Sequence, residues 1–186
     1  GMKQIYPQNY AWVLMRVRYE MIKPILMDSE VKVITWPQPA GRIDFDRDYL
    51  ICDLNDNILV KGSSKWVVIN LETRRIERTS KFSYPHNPKL DRNFEGIDKI
   101  DNTNVNFNES RKYVVRPSDI DMVGHLNNTK YADLCYDMLA TNYKNFTINY
   151  NREIALNEEI LIEKGELDDL VYIKVDGRFN ALMEVY

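Results

Sequence analysis

Arg116-Pro-Ser-Asp-Ile-Asp-Met-Val-Gly-His-Leu-Asn-Asn-Thr-Lys-Tyr131 is the stretch on which the reading of this chain turns. Within it, two acids (Asp119, Asp121), one of only two histidines in the chain (His125) and two adjacent amides (Asn127, Asn128) fall close together. Residue type predicts a loop. Pro117 removes a backbone donor, Ser118, Asp119 and Asp121 compete with the backbone for hydrogen bonds, and Gly124 permits positive φ. The strand before it is expected to stop near Val115. After it, Tyr131, Leu134, Cys135, Met138 and Leu139 recur at helical spacing with Lys130, Asp133 and Asp137 between them, which predicts an amphipathic helix over residues 129–141. Asn127, Asn128 or Thr129 would cap it.

This order of elements has chemical consequences. A helix N-terminus presents unpaired N–H groups and the positive end of the helix dipole, so a carbonyl oxygen docked there is polarised as its charge develops. Metal readings fit less well. Asp119, Asp121 and Gly124 match positions 1, 3 and 6 of a calcium loop, but Val123 stands at position 5 and Lys130 where a bidentate Glu is needed. His125 has no partner at zinc-ligand spacing, and Cys52 and Cys135 are far apart in sequence, so no metal or other cofactor is expected.

The pattern Asp-x-Asp-x-x-Gly-His-x-Asn-Asn-x-x-Tyr followed by a helix resembles the second hotdog domain of the acyl-acyl carrier protein (ACP) thioesterases. Upstream, Trp12-Val-Leu-Met-Arg-Val-Arg-Tyr19, Val31-Lys-Val-Ile-Thr-Trp-Pro37 and Ser64-Lys-Trp-Val-Val-Ile-Asn-Leu-Glu-Thr-Arg-Arg75 are similar to the first hotdog domain of the same family. The resemblance implies an α+β tandem hotdog with antiparallel sheets. It also implies a first domain lacking its initial strand and central helix, because only eleven residues precede Trp12. Apolar sheet left uncovered in this way would be an association surface, and a homodimer is expected.

Composition and pattern bound the rest of the chain. At 186 residues, 44% hydrophobic, the chain can bury one good core or two small ones. A formal charge of −3 gives no basis for nucleic-acid binding, and no apolar run is long enough for a membrane span. Two cysteines without a secretory signal suggest reduced thiols and a cytoplasmic home. Strands are expected at residues 12–22, 30–36, 43–52 and 58–70, with Asp44, Asp46 and Asp48 on a wet face of the third. With the resemblance, this implies a partial hotdog domain made of sheet over residues 1–76, a polar linker over 77–110 and the second hotdog domain over 111–186. His86 reads as a surface residue in turn chemistry, and Arg74, Arg75, Arg78 and Lys81 as a solvated hairpin end or a docking point for an acidic carrier.

In the second domain, strands are expected at 111–116, 146–154, 159–167, 170–178 and 180–186. An Arg152-Glu153 pair at a strand end is ordinarily a salt-bridging edge. The resemblance gives it more weight, since it matches the segment carrying the family's catalytic glutamate. Ile154 follows where plant members commonly have Cys, Cys135 sits in the helix's apolar stripe, and Cys52 is in the other domain. The expected chemistry is therefore water attack on an acyl thioester carried by ACP or CoA. His125 and Glu153 orient and deprotonate the water, Asp121 assists or holds the loop, and Gly124, Asn127 and Asn128 line the substrate-binding helix start. Val123 stands where the family usually has Asn, which motivates a second expectation: a catalytically impaired acyl-thioester or lipid-binding relic. A hotdog dehydratase is the third.

Overall fold

The structure is a computed structural model that describes residues 5–85, 91–139, 143–176 and 179–185. The chain divides into two compact units, Gly1–Asp98 and Lys99–Tyr186. His86 and residues 140–141 of the expected helix lie outside the described residues. Among the described residues no helix is long and apolar enough to cross a membrane.

In the first unit β1 (Tyr10–Met21), β2 (Lys32–Pro37), β3 (Asp44–Cys52) and β4 (Ile58–Asn70) form an antiparallel sheet in the order β2-β3-β4-β1. The turn signals act as expected. Between β3 and β4, the Asp53 carboxylate accepts hydrogen bonds from the amides of Asn55 and Asn57, both at 2.9 Å, and Asp56 takes a positive φ of 65°. One sheet face buries Phe45 and Val68 completely, with Trp12, Trp66, Phe82 and Tyr84 packed around them. Trp12 meets Phe45 edge-on at 4.8 Å between ring centroids. Phe82 and Tyr84, from the stretch read as linker, belong to this packing.

The other face corrects one expectation. Asp48 was assigned to a wet row, yet it is buried. Residues 91–97 run across that row and replace water with their own polar groups. Arg92 pairs with Asp46 at 2.9 Å, and the amide of Asn93 donates to Asp48 at 3.3 Å. The Asn93 side-chain amide donates to the carbonyls of Tyr49 and Gly62, both at 2.8 Å. Arg16 donates to the Ile97 carbonyl at 2.9 Å, and the Arg18 guanidinium lies 4.4 Å from the centre of the Phe94 ring. Gln38 (2.6 Å) and Ser63 complete the donors around Asp48. A strand's alternation tells which residues share a face, but not what covers that face.

The second unit carries β5 (Asn106–Val114), a 3-10 turn (Pro117–Asp119), helix α1 (Asn128–Leu139), then β6 (Tyr143–Tyr150), β7 (Glu159–Leu167), β8 (Leu170–Val175) and β9 (Phe179–Val185). Its antiparallel sheet runs β6-β9-β8-β7-β5. Asp168 and Asp169 both take positive φ (52° and 61°) in the two-residue turn between β7 and β8, the twist such hairpins require. Helix α1 buries Tyr131, Leu134, Cys135, Met138 and Leu139, the stripe predicted from spacing. Each large side chain there contributes ~1.5–3 kcal/mol by leaving water. Tyr131 meets Tyr150 of β6 edge-on at 5.2 Å, and the Tyr150 hydroxyl donates to the Asn128 carbonyl at 3.2 Å. The helix start is thereby fixed to the sheet. β6 ends at Tyr150, so Glu153 lies in the irregular segment beyond it rather than in a strand.

Candidate active site

The loop between the 3-10 turn and α1 folds back on itself as a narrow hairpin. The Asn127 amide donates to the Asp119 carbonyl (2.8 Å), Ile120 bridges Leu126, and the Asp121 amide donates to the His125 carbonyl (2.9 Å). At the tip the Gly124 amide donates to the Asp121 carbonyl at 3.1 Å, and Gly124 adopts a φ of 91° with open space around it. That conformation is costly for other residues, which accounts for glycine here. The Asp121 carboxylate accepts from the amides of Val123 (2.8 Å) and His125 (3.3 Å). Asp121 Oδ1 thus holds the tip of the hairpin that carries His125.

Two backbone contacts bring the distant acid to this tip. The Leu126 amide donates to the Ile154 carbonyl at 2.8 Å, and His125 forms an antiparallel bridge with Ala155. Ile154 and Leu126 are buried. In paired extended segments neighbouring side chains alternate between faces, so anchoring Ile154 and Leu126 inward turns Glu153 and His125 outward together. His125 Nε2 lies 3.4 Å from Glu153 Oε2, with 37% and 46% of the two side chains exposed. This separation is an ion-pair distance slightly longer than a formed hydrogen bond, of the kind that tightens on substrate binding.

The amides divide by role. Asn127 is the residue that caps α1: its side-chain oxygen accepts from the Thr129 amide (3.0 Å) and hydroxyl (2.9 Å). Its carboxamide oxygen is thus committed to the helix start. Asn128 opens the helix with an exposed side chain, its carbonyl held by Tyr150. Met122 and Val123 stand exposed on the hairpin tip.

Cys135 is fully buried, and burial pushes its thiol far above the usual range. It stays protonated at neutral pH and is no nucleophile. Cys52 is also buried and free. Among the described residues no group of three or more His, Cys, Asp or Glu side chains is placed to hold a metal ion.

Residue-by-residue reading passed over Tyr113 and undervalued Asp119. Asp119 is buried, and one of its oxygens accepts both the Tyr113 hydroxyl (2.7 Å) and the Arg116 amide (2.8 Å). Burial pushes the carboxyl up. The hydrogen bonds from Tyr113 and Arg116, with the charges of Lys130 and Arg116, outweigh it and leave Asp119 below the usual carboxylate range. The available signal was Pro117 followed two residues later by Asp, which places a carboxylate in the first turn of a short helix.

Two family models match the chain: the acyl-ACP thioesterase N-terminal domain over residues 1–82 and the acyl-ACP thioesterase C-terminal domain over residues 102–175. The oleoyl-acyl carrier protein thioesterase of Coriandrum sativum is 30% identical over 91% of this chain and 51% of its own length. The chain spans about a third to a half of the length of the curated relatives it matches. An acyl-ACP thioesterase structure from Bacteroides thetaiotaomicron superposes with a TM-score of 0.83 at 21% identity, covering 100% of this chain and 81% of that one. The 12:0-ACP thioesterase of Umbellularia californica gives 0.76 at 18% identity, covering 98% and 78%. These structures share the fold, antiparallel sheet and helix of the hotdog type. Matched along both units, the chain belongs to the acyl-ACP thioesterase family.

Proposed function

We propose that this protein hydrolyses fatty acyl thioesters carried by ACP, with His125 and Glu153 as the acid-base pair. The observation that carries the reading is the pairing of His125 Nε2 with Glu153 Oε2 at 3.4 Å on an open surface beside the start of α1. Family membership supports the substrate class. With Nε2–H directed at Glu153, Nδ1 holds the lone pair and takes a proton from water as its oxygen attacks the thioester carbon. Glu153 stabilises the imidazolium that forms. The carbonyl oxygen gains negative charge at the start of α1, where the positive end of the helix dipole stabilises it. Collapse breaks the C–S bond, and His125 returns its proton to the thiolate, giving a free fatty acid and the carrier thiol. The base and the oxyanion donors together account for an acceleration on the order of 10⁴-fold or more. Asp121 keeps the hairpin tip in shape.

Three finer features belong to the same reading. Leu26, Met27 and Val33, exposed on the first unit, are the kind of surface a second copy covers in a homodimer. Arg75 and Arg78, exposed near the Lys81–Glu77 pair, supply positive charge for steering an acidic carrier. Two free buried cysteines fit a reducing compartment such as the cytoplasm.

The test is thiol release from acyl-ACP and acyl-CoA of graded chain length, run in ¹⁸O-labelled water. Release of thiol with one ¹⁸O in the fatty acid carboxylate is expected. A change in enoyl absorbance without thiol release would indicate dehydratase chemistry instead. Binding without turnover would favour the impaired form that Val123, with no hydrogen-bonding side chain at the tip, suggests.

A further inference from the structure

We propose that Asp119 is a positioning residue that sets where His125 stands, acting through the base of the hairpin; this rests on the reading of His125 as the base. The hairpin that carries His125 has two stems. One begins at Asp119 and the other ends at Asn127, which caps α1, and the Asp119 carbonyl accepts the Asn127 amide at 2.8 Å between them. The same residue's carboxylate reaches the other way, accepting the Tyr113 hydroxyl from β5 and the Arg116 amide on a single oxygen, Oδ2. Asp119 therefore joins three elements: the end of the sheet, the hairpin and the cap of the helix. The Asp121 carboxylate shapes only the tip, so the direction in which the hairpin points is set by its pairing with Ile154 and Ala155 and by its base at Asp119.

The surroundings of Asp119 suit a fixed joint. It is buried, and the Arg116 guanidinium lies 5.5 Å from the centre of the Tyr113 ring, over the hydroxyl's own ring. The charged groups acting on it are Lys130 of α1 and Arg116, while Asp137 acts on Tyr113. Because both donors converge on Oδ2, asparagine can keep both bonds with its one oxygen. Alanine can keep neither. This separates geometry from charge.

The experiment compares Asp119→Ala, Asp119→Asn and Tyr113→Phe with the parent protein by two readouts: kcat and KM for thiol release, and the NMR titration of the His125 ring. The chain has only two histidines, so His86→Gln assigns the signals. For Asp119→Ala, kcat should fall by about 10²-fold, the effect of displacing a reacting group by about 1 Å, with KM within about twofold. The midpoint of the His125 titration should also move. Asp119→Asn should restore both readouts, and Tyr113→Phe should move both in the same direction by a smaller factor. An unchanged His125 titration and kcat in Asp119→Ala would overturn the proposal, as would Asp119→Asn behaving like Asp119→Ala. Should Asp119→Ala fail to fold, Tyr113→Phe decides, since it removes one donor and leaves the backbone alone. If the parent released no thiol, the hydrolase reading would fail while the ring titration still tested the joint.

Discussion

Asp48 in the first unit and Glu153 in the second are carboxylates of one chain put to opposite uses. Asp48 is 2% exposed and surrounded by donors from Gln38, Ser63 and Asn93, three segments that it holds together. Glu153 has a side chain 46% exposed and faces an imidazole that is 37% exposed. Burying a carboxylate is tolerable only when its lone pairs are occupied, and an occupied carboxylate has little left to offer a substrate. An exposed carboxylate that faces a titratable imidazole is placed for proton transfer. Asp119 lies on the buried side of this division although it sits in the motif that draws attention to the site.

Substitutions can break or sharpen the contrast. The largest effect is expected for His125→Ala: thiol release from acyl-ACP falls by about 10²–10⁴-fold, as for loss of a general base, while urea unfolding moves by no more than about 0.5 kcal/mol. Glu153→Gln should cost about 10²-fold in kcat, again with unfolding unchanged, because the imidazolium loses its counter-charge. Asp48→Ala should do the reverse. Removing the acceptor that the buried Gln38 and Ser63 side chains share destabilises the first unit by about 1–3 kcal/mol for each donor left unpaired, read by urea unfolding, with activity per folded molecule retained.

A smaller effect is expected from pH. Asp119 has its carboxyl below the usual range in the folded state, so its contribution to stability is present above the unfolded value of about 3.9 and is lost as pH falls through the folded value. The stability gap between the parent and Asp119→Asn should therefore narrow as pH is lowered from 5 to about 2, followed by urea unfolding. The smallest effect is expected from thiol alkylation. Iodoacetamide applied to the native protein should leave the rate of thiol release unchanged, because Cys135 is buried and protonated.

Much of this was legible in the sequence, and the limits are physical. The helix stripe from Tyr131 to Leu139 and most strands of both sheets follow from spacing, since local periodicity reports which residues share a face, while β5 begins at Asn106 inside the stretch read as linker and β6 stops at Tyr150, short of the expected 154. His125 was found because imidazole is scarce in this chain, and Glu153 because of the family resemblance. Their meeting depends on the bridge from His125 to Ala155, a contact between residues 30 positions apart that no local pattern encodes. The burial of Asp48 was not legible, because the polar run at residues 91–97 looks like solvated linker until its Arg and Asn side chains are seen to match the sheet's acids and carbonyls. Asn127 was readable as one of three possible caps. Which one takes the role is set by the hairpin's closure at Asp119.

The most direct measurement is thiol release from acyl-ACP per folded molecule, with the parent, His125→Ala and Asp48→Ala assayed side by side. The expected result is turnover by the parent, near-complete loss in His125→Ala, and parent-like turnover by the folded fraction of Asp48→Ala. Undiminished turnover in His125→Ala, or equal loss in both variants, would contradict the division between an open pair that does chemistry and a sealed carboxylate that holds the fold.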